Sequence, residues 1–127
     1  MKFTMKEEGG FKTQLPFGEL HVSGNEEFGF RPYQLLISSI AVCSGGVFRT
    51  VAEKMRLHVT NIEVETTHER IDEEAGRVAS VHMKFLISGT DLNEAKIEKA
   101  LHVTRKNCSM VRSVEGSIDI TESFEIV

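Results

Sequence analysis

The sequence predicts an α+β fold formed by one domain, residues 1–127, and three observations predict it. Residues 58–69 and 77–88 alternate apolar and polar side chains on either side of a turn, the mark of paired strands with one dry face. Two other segments carry apolar residues at helical spacing. The resulting order, βββ–α–ββ–α–β, lacks the regular strand–helix alternation of a doubly wound parallel sheet.

The first thirty residues are punctuated by Gly9, Gly10, Pro16, Gly18, Gly24 and Gly29, which leaves room for two or three short antiparallel strands that include 11–15 and 19–23. Their apolar content is thin, so such a ribbon needs another surface to lie on. From Pro32 to about 55 the text becomes helical. Proline suits a first helical turn because its missing N–H has no intrahelical partner there. Leu35, Leu36, Ile37, Ile40, Ala41, Val42, Cys43, Val47 and Phe48 then run apolar almost all the way round, which predicts a buried helix in a core or subunit interface. The uncharged run 33–48 is shorter than the ~20 residues that span a bilayer, so no membrane partner is expected.

Ile62, Val64 and Thr66 alternate with Glu63, Glu65 and Thr67, and Val81, Met83, Phe85 and Ile87 alternate with His82 and Lys84. A turn at 72–76 closes these runs into a long antiparallel hairpin. Asp91 with Glu94 three residues later reads as a variant capping box that opens a second helix. On it Ile97, Leu101, Thr104 and Cys108 share one face, so Cys108 ends the buried stripe. Ile118, Ile120, Phe124 and Ile126 define a last strand within 117–127.

Fifteen Lys and Arg against nineteen Asp and Glu give a formal charge of −4, so no basic field attracts a phosphate backbone and nucleic acid is not an expected partner. The opening MKFTMKEEGG has no apolar stretch before a small-residue cleavage site, which points to the cytoplasm. Five histidines without ligand spacing, and no Cys-x-x-Cys, predict no metal site and no cofactor.

The chemistry to weigh is that of two cysteines, Cys43 and Cys108. A cysteine on an apolar helix face is usually a small hydrophobe. Against this, each sits on a buried helical face, and two helices packed on one sheet could bring the sulfurs together. Cys43 lies well beyond the first turn after Pro32, so its own helix dipole does not ionise it. Gly45 and Gly46 beside it cost about 1 kcal/mol each relative to alanine in a helix, which suggests close packing or room for a small reactant.

The run Pro32-Tyr33-Gln34-Leu35-Leu36, followed by Cys43 on a long apolar helix, resembles the first-cysteine motif of the OsmC/Ohr family of thiol-dependent hydroperoxide reductases. Asn107-Cys108-Ser109-Met110-Val111, shortly before a last strand, is similar to that family's second-cysteine segment. Gly89-Thr90-Asp91-Leu92 and Ser123-Phe124-Glu125 resemble its OsmC-like branch, and the likeness covers most of the chain from Phe30 onward. It implies an OsmC-like fold in which an antiparallel sheet packs on a long buried central helix, and an intertwined homodimer whose N-terminal hairpin joins the partner's sheet. It further implies reduction of small hydrophobic peroxides in an oxidative stress response. Cys43 would attack the peroxide and become a sulfenate, Cys108 would resolve it as a disulfide, and an external dithiol would restore both.

One departure from the family pattern bears on activation. Active members carry a glutamate directly after the proline, where this chain has Tyr33, and an arginine in the N-terminal region, whereas no arginine precedes Arg31 here. A thiol in apolar surroundings is held protonated unless a positive group faces it. Arg31, Arg49 and Arg105 are the candidates to supply the cation. Arg49 points about 120° away from Cys43 on a regular helix and so could serve only across a dimer, and Arg105 neighbours Cys108 three residues before it. The alternative reading keeps the fold as a non-catalytic dimer that binds or senses a small hydrophobic ligand, with both cysteines as packing residues.

Overall fold

The structure, a computed structural model, describes residues 1–127. The backbone groups into two compact units, Met1–Ser38 and Ser39–Val127. In the first, β1 (Thr4–Met5), β2 (Phe11–Gln14) and β3 (Glu19–Val22) form an antiparallel sheet in that order. Lys6 ties this ribbon together. Its side chain is 8% exposed, and the ammonium donates to the Phe28 carbonyl at 2.6 Å and to His21 Nδ1 at 2.9 Å. Gly10 is held at φ +75°, where an added Cβ would lie 2.4 Å from the Val22 carbonyl oxygen, so only glycine fits this turn.

Helix α1 (Pro32–Lys54) begins in the first unit and runs into the second. It is long and apolar enough to cross a membrane by length and composition, yet within the second unit it carries a buried stripe. Ile40, Ala41, Ser44, Phe48 and Ala52 are all buried, at the spacing of one helix face. The other face is open, with Val42 73% exposed. Within one chain, then, one face of α1 is covered and apolar residues such as Val42 on the opposite face are open. The helix ends in a Schellman motif, with the Leu57 N–H on the Ala52 carbonyl and the Arg56 N–H on that of Glu53. Arg56 takes the left-handed position, φ 58°, that glycine usually fills.

The second unit is built on the hairpin of β4 (His58–Ile71) and β5 (Arg77–Thr90), joined by a single 3₁₀ turn at Asp72–Glu74. Alternation places Val81, Met83, Phe85 and Ile87 on one side of β5, and all four are fully buried. Each such side chain contributes roughly 1.5–3 kcal/mol by leaving water. Phe85 meets Phe48 of α1 with ring centroids 5.6 Å apart, which seats the helix on the sheet.

Helix α2 (Glu94–Asn107) starts at Asn93 rather than at the expected Asp91. Asn93 has extended backbone and its side chain accepts from the Lys96 N–H at 3.1 Å, whereas Asp91 sits at φ 52° and belongs to the preceding turn. Ile97, Ala100 and Thr104 form its buried face, and the Thr104 hydroxyl is satisfied by the Ala100 carbonyl at 2.8 Å. A short helix α3 (Ser109–Val114) follows at once, and then β6 (Asp119–Ile126).

The α+β class holds, with one correction to the all-antiparallel sheet. β6 pairs with β5 in parallel, giving the order β4-β5-β6. A parallel partner needs a crossover of a dozen or more residues, and α2 with α3 supplies it, returning the chain to the end where β5 began.

Candidate active site

Three local structures bring the two cysteines together. Successive residues of α1 diverge by about 100°, so Ser44 enters the core while Cys43 stays at its half-exposed edge. Cys108 occupies the junction of the other two helices: it is the C-cap of α2 and the N-cap of α3, with extended φ −83° and ψ 109°, and it is fully buried. The break leaves the first N–H groups of α3 without intrahelical partners, as at the start of any helix. Those of Ser109 and Met110 are aimed at Cys43, and that of Val111 at Cys108.

Both cysteines are free thiols. Burial acts most strongly on Cys43 and opposes its ionisation. The Met110 N–H, the Cys108 thiol, and the hydroxyl and N–H of Ser109 act the other way, and together they hold its pKa below the ordinary thiol value. The Ser109 hydroxyl lies 3.7 Å from Cys43 Sγ. For Cys108, burial pushes the pKa up; the Ser44 hydroxyl, which donates to its sulfur at 3.4 Å, and the Val111 N–H counteract this in part, and the neighbouring Cys43 sulfur raises it further. The pair is thus asymmetric. Cys43 is the sulfur that ionises first, and Cys108 is the protonated donor beside it.

A model of the family described as OsmC-like protein matches residues 23–123. The chain belongs to the OsmC-like family. Protein YhfA of Escherichia coli K12 is 28% identical to it over 97 residues, 76% of this chain and 72% of YhfA. Among solved structures, the OsmC-like protein from Mycoplasma pneumoniae superposes with a TM-score of 0.87 at 14% identity, covering 99% of this chain and 94% of that one. The organic hydroperoxide resistance protein OhrB of Bacillus subtilis gives a TM-score of 0.66 at 17% identity, over 98% and 96% of the two chains. At these identities the structural likeness concerns the fold.

In this OsmC-like chain the arginines considered as activators have other partners. Arg105 donates through Nη1 to the Glu122 carboxylate at 2.8 Å and to the Ile120 carbonyl at 2.7 Å, pinning α2 to β6. Arg49 pairs with Glu53 one turn along the exposed face of α1, at 3.5 Å. Arg31, in the N-terminal unit, lies over the Tyr33 ring, 4.9 Å from its centroid. Within this chain the groups that favour the Cys43 thiolate are neutral donors at a helix start, which no motif in the sequence announces. The signal of that helix is short: Ser109 and Ser113 flank Val111 within a helix of only six residues, too few for periodicity to register.

Cys43 also opens onto a groove of about 760 Å³ between α1 and α2, lined in its middle by Val47, Val51 and Val103. Gly46 lines it too, and a Cβ there would meet nothing within 4 Å. Gly45 instead lies close to Val64, with 3.4 Å for an added Cβ. The two glycines thus serve different purposes: one packs on the hairpin, the other widens the space beside the thiol. No group of three or more His, Cys, Asp or Glu side chains is placed to hold a metal ion.

Proposed function

We propose that this OsmC-like protein is a thiol-dependent peroxidase that reduces organic hydroperoxides through Cys43 and Cys108. The observation that carries the reading is the placement of the pair: the Cys43 sulfur lies at the start of α3, 3.7 Å from the Ser109 hydroxyl, and the Cys108 sulfur beside it is held in the core by the Ser44 hydroxyl at 3.4 Å, with Cys43 the more readily ionised of the two. The Cys43 thiolate attacks the terminal oxygen of the hydroperoxide. An S–O bond forms, the O–O bond breaks, and the alkoxide leaves as an alcohol after taking a proton. Cys108 then displaces the oxygen of the Cys43 sulfenic acid, so that an S–S bond forms and water leaves. An external dithiol reduces the disulfide by two exchanges and is itself oxidised. The apolar groove beside Cys43 suits an organic peroxide better than hydrogen peroxide. The name of OhrB, an organic hydroperoxide resistance protein of the same fold, agrees with this chemistry.

The proposal includes a homodimer in the cytoplasm. Phe3, Met5, Phe11, Phe17 and Phe30 of the N-terminal unit are about half exposed or more, an apolar set of the kind that a second copy covers.

Stopped-flow oxidation of the reduced protein by cumene hydroperoxide, with peptide mapping, tests the reading. The expected result is one intrachain Cys43–Cys108 disulfide, formed faster than with hydrogen peroxide and lost in Cys43→Ser. Unchanged thiols after prolonged exposure would reject it in favour of a binding protein whose cysteines only pack.

A further inference from the structure

The sheet of the second unit has two outer strands, β4 and β6. Main-chain groups alternate between the two sides of a strand, and two hydrogen bonds fix the phase in β6. The Val127 N–H reaches the Ile87 carbonyl of β5 at 2.9 Å, whereas the Ile120 carbonyl turns the other way and accepts from Arg105 Nη1 at 2.7 Å. Glu122, Phe124 and Ile126 share the phase of Ile120, so their N–H and C=O groups point to the free edge. No hydrogen bond within the chain reaches these groups. Sheet edges are ordinarily blunted by lysine, proline or a bulge. Arg105 guards this edge at Ile120, but residues 122–126 contain no lysine or proline and keep an unbroken register with β5.

Beside the unguarded stretch a crevice of about 430 Å³ opens between α2 and β6. Leu101 and Phe124 give it apolar walls and Glu98 and Glu122 line it with carboxylates, while the Arg105 guanidinium is engaged by Glu122 at 2.8 Å. The outer side of the sheet is acidic too. Register places Glu63, Glu65 and Glu69 of β4 and Asp119 and Glu125 of β6 on the face that carries Lys84, opposite the buried Val81, Met83 and Phe85. Five carboxylates against one ammonium, with His82 neutral, give that face −4, which equals the formal charge of the whole chain.

We propose that the free edge of β6 is a docking site for an extended, basic segment of a partner protein, which pairs with Glu122, Phe124 and Ile126 as an added strand and sets a lysine or arginine into the crevice beside α2. Side chains of an added strand alternate, so one set lies toward the acidic outer face and the other toward the crevice. There a long hydrocarbon stem meets Leu101 and Phe124 while its cation reaches Glu98. Main-chain bonds hold the segment, and the carboxylates select positive segments over negative ones. Such docking stands whether or not Cys43 reduces peroxides. The homodimer proposed above leaves it room, because a ribbon that joins a sheet uses one edge, and β4, fourteen residues against eight in β6, is the longer.

The probe is a capped seven-residue peptide with valine at its first, fourth and seventh positions and lysine at the others, which puts cations on both of its sides. It is added to the full chain, with affinity read from the anisotropy of a labelled copy and position from amide hydrogen exchange by NMR. The peptide is expected to slow exchange at Glu122, Phe124 and Ile126 at least ten-fold. A copy N-methylated at every residue keeps the charges and loses the N–H donors, and should bind at least ten-fold more weakly; a copy with glutamate for lysine should not bind. Glu98→Lys should weaken the parent peptide at least ten-fold. Absence of binding, equal binding of the methylated copy, protection confined to β4, or an affinity untouched by Glu98→Lys overturns the proposal. So does protection of the three β6 amides without peptide that fades on dilution, which would assign the edge to a second copy of the chain.

Discussion

The Ser44 hydroxyl donates to the Cys108 sulfur at 3.4 Å from the position next to Cys43 in sequence. One helix therefore presents one reactive sulfur at its edge and, a residue later, grips the other sulfur in the core. The hydrogen bond favours the thiolate of Cys108, whose ionisation burial opposes. Ser44→Ala should therefore slow the second step. Loss of one such bond, worth about 0.5–1.5 kcal/mol, corresponds to a two- to ten-fold slower closure of the disulfide. The measurement is trapping of the Cys43 sulfenic acid with dimedone after a pulse of hydroperoxide. More adduct than in the parent is expected, with the first oxidation step unchanged.

The start of α3 yields a second prediction, in which Ser109→Pro separates the helix from its donors. Proline is accepted at a first helical position, and Cys108 before it already has the extended backbone that a following proline requires. The substitution removes both the N–H and the hydroxyl that Ser109 directs at Cys43. Cys43 should then ionise at higher pH, and its alkylation by iodoacetamide near neutrality should fall about three- to ten-fold, since the sulfur is partly open to water. Arg105→Gln, which breaks the bond to Glu122, should cost stability and leave the alkylation profile where it was. A profile that moved with Arg105 and not with Ser109 would return the role to a cation.

The pH dependence of folding has opposite signs at the two sulfurs. Cys43 has a lowered pKa in the folded chain, so its contribution is present above the ordinary thiol range and is lost as pH falls through the folded value. Cys108 has a raised one, so its contribution is present below the ordinary range and is lost as pH rises through its folded value. Urea unfolding at mildly alkaline and strongly alkaline pH should show Cys108→Ala less sensitive than the parent to the rise. In Cys43→Ala the alkaline loss should persist, though reduced, because the neighbouring sulfur no longer raises Cys108.

Much of this architecture is legible in the sequence where a period is long enough to be counted. Val81, Met83, Phe85 and Ile87 announce the dry face of β5 by alternation, and the structure buries all four. The direction of β6 is not legible, because Ile118 and Ile120 alternate identically in a parallel or an antiparallel partner; the crossover alone decides it. Asp91 and Asn93 are both residues that cap helices, and what separates them is backbone conformation, φ 52° against −109°. At the site, the approach of two helical faces was open from Cys43 and Cys108 themselves. The donors around Cys43 are not legible, since two of them are backbone N–H groups, which every sequence contains.

The glycines around the site give a last prediction, because they look alike in sequence and differ in space. Gly89 sits on β5 opposite Val59, and an added Cβ would lie 2.1 Å from the His58 carbonyl oxygen. Backbone cannot yield as a side-chain tip can, so Gly89→Ala should destabilise the fold by about 2 kcal/mol or more. Gly46→Ala meets open space within a helix and should stabilise it by about 0.4–1 kcal/mol, through the lower entropy of the unfolded chain. The same methyl enters the groove beside Cys43. Thermal unfolding should therefore place Gly46→Ala above the parent and Gly89→Ala well below it. Gly46→Ala should also turn over a bulky hydroperoxide more slowly than the parent while its thiol remains as reactive toward iodoacetamide. An alanine at 46 that changed neither the melting temperature nor the turnover of bulky substrates would mean that the groove closes over this position when the protein is at work.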